Sequence, residues 1–170
     1  MILIADGGST KADWIALNGS KEEVFRVRTK GLNPAVVPTE VLRERIMNTY
    51  QLYHNKDEIT KVYFYGAGCG TEDASKILTD LFKEIFLNAE VIVEEDLLAA
   101  VYAAAAGKPA IVAILGTGSN SCYFDGNEVF SNSVSLGYVL MDEASGNYFG
   151  KRIIRDYFFD RMPKHMMLKL

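Results

Sequence analysis

Short apolar runs closed by glycine dominate the first part of this chain, and stretches with apolar residues three and four apart follow them. Residues 2–6, 12–17 and 23–29 read as strands, because their apolar side chains run unbroken or alternate with polar ones. A glycine turn joins the first two. Asn18-Gly19, both tolerant of positive φ, joins the next pair in an antiparallel meander. Beyond Gly31, Pro34 and Pro38, Thr39 is placed to cap a helix reaching about residue 54, with Leu42, Ile46, Tyr50 and Tyr53 on one face. Residues 61–65 form the next strand, ending in Gly66-Ala67-Gly68-Cys69-Gly70. Thr71 then caps a helix striped by Ile77, Leu78, Leu81, Phe82 and Ile85. Residues 91–93 make a further strand closed by Glu94-Glu95-Asp96, and residues 97–106 a small-residue helix stopped by Gly107-Lys108-Pro109.

The order strand, strand, strand, helix, strand, helix, strand, helix is that of a ribonuclease-H-like α/β domain, complete by residue 108. The series then restarts, with strands expected near 110–115, 120–124 and 127–132 and a helix from about 143 to 160. Residues 109–170 are therefore expected to begin a second, similar domain. The apolar tail Met166-Met167-Leu168-Lys169-Leu170 has nothing left to pack against, which points to a truncation within that domain.

Each domain opens on the same device. Ile2 to Leu17 reads ILIADGGSTKADWIAL, and Ile111 to Phe124 reads IVAILGTGSNSCYF. Glycine lacks Cβ, so a glycine-rich turn can aim successive backbone N–H groups into one concavity, to which Ser9, Thr10, Thr117 and Ser119 add hydroxyl donors. Two such turns suggest a phosphate chain held from two sides, where ordinary hairpins would have no reason to match.

Charge narrows the partners. The chain carries a net charge of −4, and its basic residues nowhere cluster beyond a local pair, which argues against nucleic acid and membrane surfaces and for a small-molecule ligand. The start MILIADGG lacks the basic and apolar regions of a signal peptide, and the alanine-rich run at 97–106 is too short to cross a bilayer, so a cytoplasmic protein is expected. Cys69 and Cys122 are isolated thiols without metal or disulfide spacing.

Four motifs in order, DGGSTKADW at Asp6 to Trp14, GLNP at Gly31 to Pro34, GTGSNS at Gly116 to Ser121 and MDEASG at Met141 to Gly146, resemble the N-acetylglucosamine kinases and related BadF/BadG/BcrA/BcrD-type ATPases. These belong to the sugar kinase, heat-shock chaperone and actin superfamily. The resemblance spans essentially the whole chain as the N-terminal part of a longer protein. It implies ATP and Mg²⁺ as cofactors, an amino sugar as substrate, and an isolated fragment without activity; a homodimer is left open.

Residue roles come from position and charge, with the resemblance beside them. Asp6 ends the first strand beside the glycine turn, where a carboxylate can hold a Mg²⁺ hydration shell against phosphates. Gly7, Gly8, Ser9, Thr10 and Lys11, with Gly116, Thr117 and Gly118, form the expected nucleotide turns. Lys11 could equally be a solvated surface lysine. Asp96, at the junction of a strand end and a helix start, is the candidate general base for an attacking hydroxyl, although Asp followed by Leu-Leu-Ala-Ala is also how a helix begins. Glu94 and Glu95 read as solvated charges. By resemblance Asn33, Ser119, Asn120, Gly137 and Asp142 join Asp96 around the sugar; Asn33 before Pro34 is also an ordinary turn residue. Ser135 to Val139 departs from the glycine- and tryptophan-rich turn of that family, and Met141 and Ala144 depart on either side of Asp142-Glu143, so the identity of the sugar stays open.

Other chemistries lack their residues. A two-metal nuclease needs an acid where the strand at 61–65 ends in Gly-Ala-Gly, and His54 and His165 have no Ser or Cys placed to use them. An ATPase activator of the acyl-CoA dehydratase type needs cluster-holding cysteines, for which Cys69 and Cys122 have no suitable surroundings. That activator and a non-catalytic sugar or nucleotide sensor are the alternatives to a kinase.

Overall fold

The computed structural model describes residues 1–131 and 136–167. The chain divides into two compact units, Met1–Ala103 and Ala104–Leu170.

In the first unit a five-stranded sheet has the order β3-β2-β1-β4-β5. Strands β1 (Ile2–Gly7), β2 (Lys11–Leu17) and β3 (Glu23–Lys30) form the antiparallel meander, and β4 (Lys61–Gly66) and β5 (Glu90–Glu95) run parallel to β1. The ribonuclease-H-like expectation is met. Period-two alternation sends Leu3, Ala5, Ala12, Trp14, Val62 and Phe64 to one face, where α1 (Thr39–Met47) and α3 (Glu72–Ile85) bury Leu42, Ile46, Leu78, Leu81 and Phe82 against them. Trp14, Phe64 and Phe82 form the aromatic centre, with ring centroids 5.1 to 5.9 Å apart. The buried Trp14 indole donates to Thr29 Oγ1 at 3.1 Å, which removes the cost of an unpaired polar group. Helix α4 (Asp96–Ala105) covers the opposite face, burying Leu97 and Val101 and setting Tyr102 edge-on to Tyr65 at 6.1 Å.

Several local expectations need correction. The helix expected from 39 to 54 is two helices, α1 and α2 (Tyr50–His54), because Asn48 and Thr49 turn the backbone between them. Its apolar face ends at Ile46: Tyr50 and Tyr53 are exposed, and Leu52 is buried instead. Pro38, not Thr39, precedes the first helical residue, while Thr71 caps α3 as expected through Ala74 N–H. In the β2–β3 turn the left-handed residue is Lys21, since the Asn18 carboxamide accepts from Ser20 and Glu22 N–H and sets the bend. Ile77, expected in the apolar stripe of α3, is exposed.

In the second unit β6 (Ala110–Leu115), β7 (Ser119–Phe124) and β8 (Val129–Phe130) repeat the antiparallel meander in the order β6-β7-β8. Its third strand is shorter than the expected 127–132, and position 132 lies outside the described residues. The helix expected at 143–160 is α6 (Gly146–Phe158), preceded by a short helix α5 (Gly137–Leu140); α7 (Lys164–Met167) follows, and residues 168–170 of the apolar tail lie outside the described residues. Helix α6 begins three residues late because Ser145, whose hydroxyl accepts from Tyr148 N–H at 3.1 Å, is the cap. Among the described residues, no helix is long and apolar enough to cross a membrane.

Candidate functional site

Parallel pairing of β1, β4 and β5 brings their C-terminal ends to one sheet edge, with Gly7, Gly66 and Glu95 in one lateral row and Asp6, Tyr65 and Glu94 in the row before it. Loops and helix starts gather at such an edge, where ligands of open α/β sheets bind. Asp96 follows Glu95 as the first residue of α4, so the helix N-terminus and the strand end place its carboxylate together. Burial pushes Asp96 above its ordinary pKa, the Leu97 N–H bonded to its carboxylate pulls the other way, and the charge of Asp6 raises it again. Asp6 itself is exposed.

Glu95, read from the sequence as solvated, is half-buried beside Asp96. Burial and then the Asp96 charge raise its pKa. A Cβ built on Gly70 would lie 3.5 Å from its carboxylate, so the glycine-rich loop after β4 closes over it. In the same loop Cys69 is buried, and burial with the charges of Asp96 and Glu95 pushes its thiol up to about 12, which makes it inert. The run of two acids before Asp96 was the available signal for Glu95, and parallel pairing with Gly66 decides which of the two turns inward.

The first glycine turn is packed from three sides. A Cβ on Gly7 would sit 2.2 Å from the Phe64 ring, and one on Gly31 would sit 2.0 Å from the Ser9 carbonyl oxygen. Gly31 N–H donates to the Thr10 carbonyl at 2.9 Å, and Ala67 N–H to the Gly7 carbonyl at 2.7 Å. Asn33 is buried; its Nδ2 donates to Ser9 Oγ at 3.0 Å and its Oδ1 accepts from Ala35 N–H at 2.9 Å. Lys11 pairs with Asp13 at 3.0 Å, and Arg28 donates to the other oxygen of that carboxylate at 2.6 Å, which with the lysine holds Asp13 below its ordinary pKa.

The second turn differs in length. Four residues separate the paired Gly7 and Ala12, whereas three separate the paired Leu115 and Ser119. Gly116 N–H closes it onto the Gly118 carbonyl at 2.9 Å, and the first N–H groups of α6, from Gly146 and Asn147, donate to the carbonyls of Gly116 and Thr117 at 2.8 and 3.1 Å. Asp142, buried and left-handed with φ of 70°, accepts from Ser119 N–H at 3.1 Å, and a Cβ on Gly118 would lie 2.9 Å from its carboxylate. Ser119 Oγ donates to the Glu143 carbonyl at 2.8 Å. Ser119, Asn120, Met141 and Asp142 line a cleft of about 350 Å³. Gly137 lies outside that lining, at the start of α5 with φ of 70°.

The sequence-derived site residues thus fall into two groups: Asp6, Gly7, Gly8, Ser9, Thr10, Lys11, Asn33 and Asp96 in the first unit, and Gly116, Thr117, Gly118, Ser119, Asn120 and Asp142 in the second. Among the described residues no three His, Cys, Asp or Glu side chains could hold a metal directly. A lone exposed Asp6 beside a hydroxyl-bearing turn fits a hydrated Mg²⁺ held through water and does not fit a chelated ion.

No protein-family model and no curated protein matches the chain. Among solved structures, a putative N-acetylglucosamine kinase from Porphyromonas gingivalis shares 36% identity and a TM-score of 0.87 over 99% of this chain and 60% of that one. A putative N-acetylglucosamine kinase from Chromobacterium violaceum aligns at 16% identity and a TM-score of 0.64 over 92% of this chain and 56% of that one. A ROK family glucokinase from Streptomyces griseus, solved with glucose and AMPPNP, aligns at 19% identity and a TM-score of 0.55 over 76% of this chain and 46% of that one. The chain spans about three fifths of the length of the first of these relatives. The resemblance read from its motifs therefore holds at the level of structure: the chain has the actin-like ATPase fold of the sugar kinases, with putative N-acetylglucosamine kinases among its neighbours.

Proposed function

We propose that this chain is the N-terminal part of an ATP-dependent kinase that transfers the γ-phosphate of ATP to a hydroxyl of an amino sugar, N-acetylglucosamine being the first candidate. The observation that carries this reading is Asp96: a desolvated carboxylate at the C-terminal sheet edge, within reach of the charge of Asp6 and on the same edge as the Gly7–Lys11 turn. Phosphoryl transfer asks the protein mainly to position and to neutralise charge, with one carboxylate orienting the attacking hydroxyl and taking its proton late. Asp96 has that chemistry. A raised pKa makes it a stronger proton acceptor than a solvated aspartate.

Thr10 and Thr117 contribute hydroxyls to phosphate oxygens, and Lys11 a point charge once it leaves Asp13. Asp6 holds the hydration shell of Mg²⁺, which when bound neutralises phosphate charge. Asn33 in the first unit, and Ser119, Asn120 and Asp142 in the second, are each short polar groups of the kind that hold sugar hydroxyls; Gly137 has only backbone groups to offer. The identity to the Porphyromonas gingivalis protein favours an N-acetylated hexosamine over a plain hexose.

We also propose one ribonuclease-H-like domain over residues 1–108, and the beginning of a second over 109–170. The support for this is the contrast between the units. The first has a continuous core from Leu3 to Phe86, whereas Val112, Cys122 and Phe124 are the buried apolar side chains of the second unit's sheet among the described residues. A substrate panel of hexosamines and hexoses with ADP detection on the intact protein tests the whole. Turnover with N-acetylglucosamine is expected; ATP hydrolysis that responds to redox state and not to sugar would point to an activator ATPase, and sugar binding without turnover to a sensor.

A further inference from the structure

The Asn33 carboxamide is buried, yet it sits between two segments of different assignment. One of its two Nδ2 protons goes to Ser9 Oγ in the glycine turn, and one lone pair of Oδ1 takes Ala35 N–H. A second proton and a second lone pair remain for a sugar hydroxyl. Ser9 Oγ, having accepted from Asn33, still has its proton and a second lone pair to offer. Beneath the carboxamide lies Gly68, with φ of +81°, where a Cβ would stand 2.1 Å from Asn33 Oδ1. The carbonyl oxygen of Ser9 is pressed in turn against Gly31, where a Cβ would stand 2.0 Å away. The carboxamide cannot shift toward Gly68, and the Ser9 backbone cannot shift toward Gly31, without moving the segment packed on it.

We infer that the Asn33–Ser9 hydrogen bond couples the sugar subsite to the phosphate-binding turn, so that each ligand tightens the binding of the other, and that Gly68 is a positioning residue that leaves room for the coupled amide. This rests on the reading that Asn33 meets the sugar and the Gly7–Lys11 turn meets the phosphates. A sugar hydroxyl held by Asn33 orders the carboxamide, the carboxamide orders Ser9, and the ordering is already done when the nucleotide arrives. Coupling of this kind is reciprocal.

The test is a matrix of ATP and N-acetylglucosamine concentrations in the intact protein, reading the ATP KM at low and at saturating sugar. One neutral hydrogen bond predicts that saturating sugar lowers the ATP KM by about fivefold in the unaltered protein. Ser9→Ala brings that ratio to within about twofold of one. Gly68→Ala does the same, whereas Gly107→Ala leaves the ratio intact, since Gly107 has φ of +74° but no atom within 4 Å of a built Cβ. Both glycine variants place alanine in left-handed backbone, so the difference between them reports the contact and not the strain. An unchanged ratio in Ser9→Ala, or no coupling in an unaltered protein that does phosphorylate the sugar, overturns the inference. Failure to phosphorylate any hexosamine overturns the kinase reading and this inference with it.

Discussion

Replacing Asp96 with asparagine separates the cost of a buried carboxylate from its use. Burial and the nearby Asp6 charge raise its pKa, so the fold prefers the protonated form. The sign follows from linkage. A carboxylate whose folded pKa lies above its unfolded value favours the folded state fully below the unfolded pKa, and that contribution is lost as pH rises through the folded pKa. The substituted carboxamide has no proton to lose, and its side-chain oxygen can still accept from Leu97 N–H. Asp96→Asn is therefore expected to melt no lower than the unaltered protein at neutral pH and to gain on it as pH rises through the acidic range. Its kcat falls by at least about a hundredfold, the usual worth of a positioned general base, while the ATP KM changes little. Thermal melts at several pH values, with a coupled ADP assay on the same samples, read both quantities. Near-normal turnover would refute the catalytic role, and a lower melting temperature at neutral pH would refute the account of its desolvation.

Three further outcomes are expected. Thr10→Val and Thr117→Val should each weaken nucleotide binding by about 1.5 to 3 kcal/mol, the range for a lost hydrogen bond to a charged group, read by calorimetric titration of ATP. Gly7→Ala should destabilise the fold by roughly 1 to 3 kcal/mol in urea, because its Cβ meets the Phe64 ring at 2.2 Å inside the aromatic centre, whereas Gly19→Ala, with no atom within 4 Å, should cost nothing measurable. The 170-residue chain alone should fold, show no sugar kinase activity and bind ATP at least about a hundredfold more weakly than the intact protein, a loss of roughly 3 kcal/mol; equal affinity in the two would contradict the domain proposal.

The strands of the first unit were legible because each is an unbroken or alternating apolar run, closed by glycine after β1 to β4 and by acids after β5. The parallel placement of β4 and β5 is the pairing that helical crossovers between strands allow. What escaped was decided by local hydrogen bonds and by neighbours distant in sequence. The break at Asn48-Thr49 hides inside an apolar pattern that continues in phase to Tyr50 and Tyr53, and only their exposure shows that α2 turns Leu52 to the core instead. Asn18 bends its turn with a side-chain oxygen, so positive φ falls on Lys21. At the site, Asp6, the glycine turns and Asp96 stood out because acids and glycines at strand ends are conspicuous. Glu95 did not, since which of two adjacent acids turns inward depends on pairing with β4. The roles of Asn33 and Asp142 in bracing the two turns depend on contacts to residues 24 and 23 positions away, which no local pattern encodes.

The central claim is phosphoryl transfer to a sugar hydroxyl, and the most direct test follows the phosphate itself. The intact protein would be incubated with Mg²⁺, ATP isotopically labelled in its γ-phosphate and N-acetylglucosamine, and the products separated and identified by mass. Label recovered in a sugar phosphomonoester, matched by ADP and formed at least about a hundredfold more slowly by Asp96→Asn, is the predicted result. Label found only in inorganic phosphate, or released at the same rate without the sugar, would contradict the account.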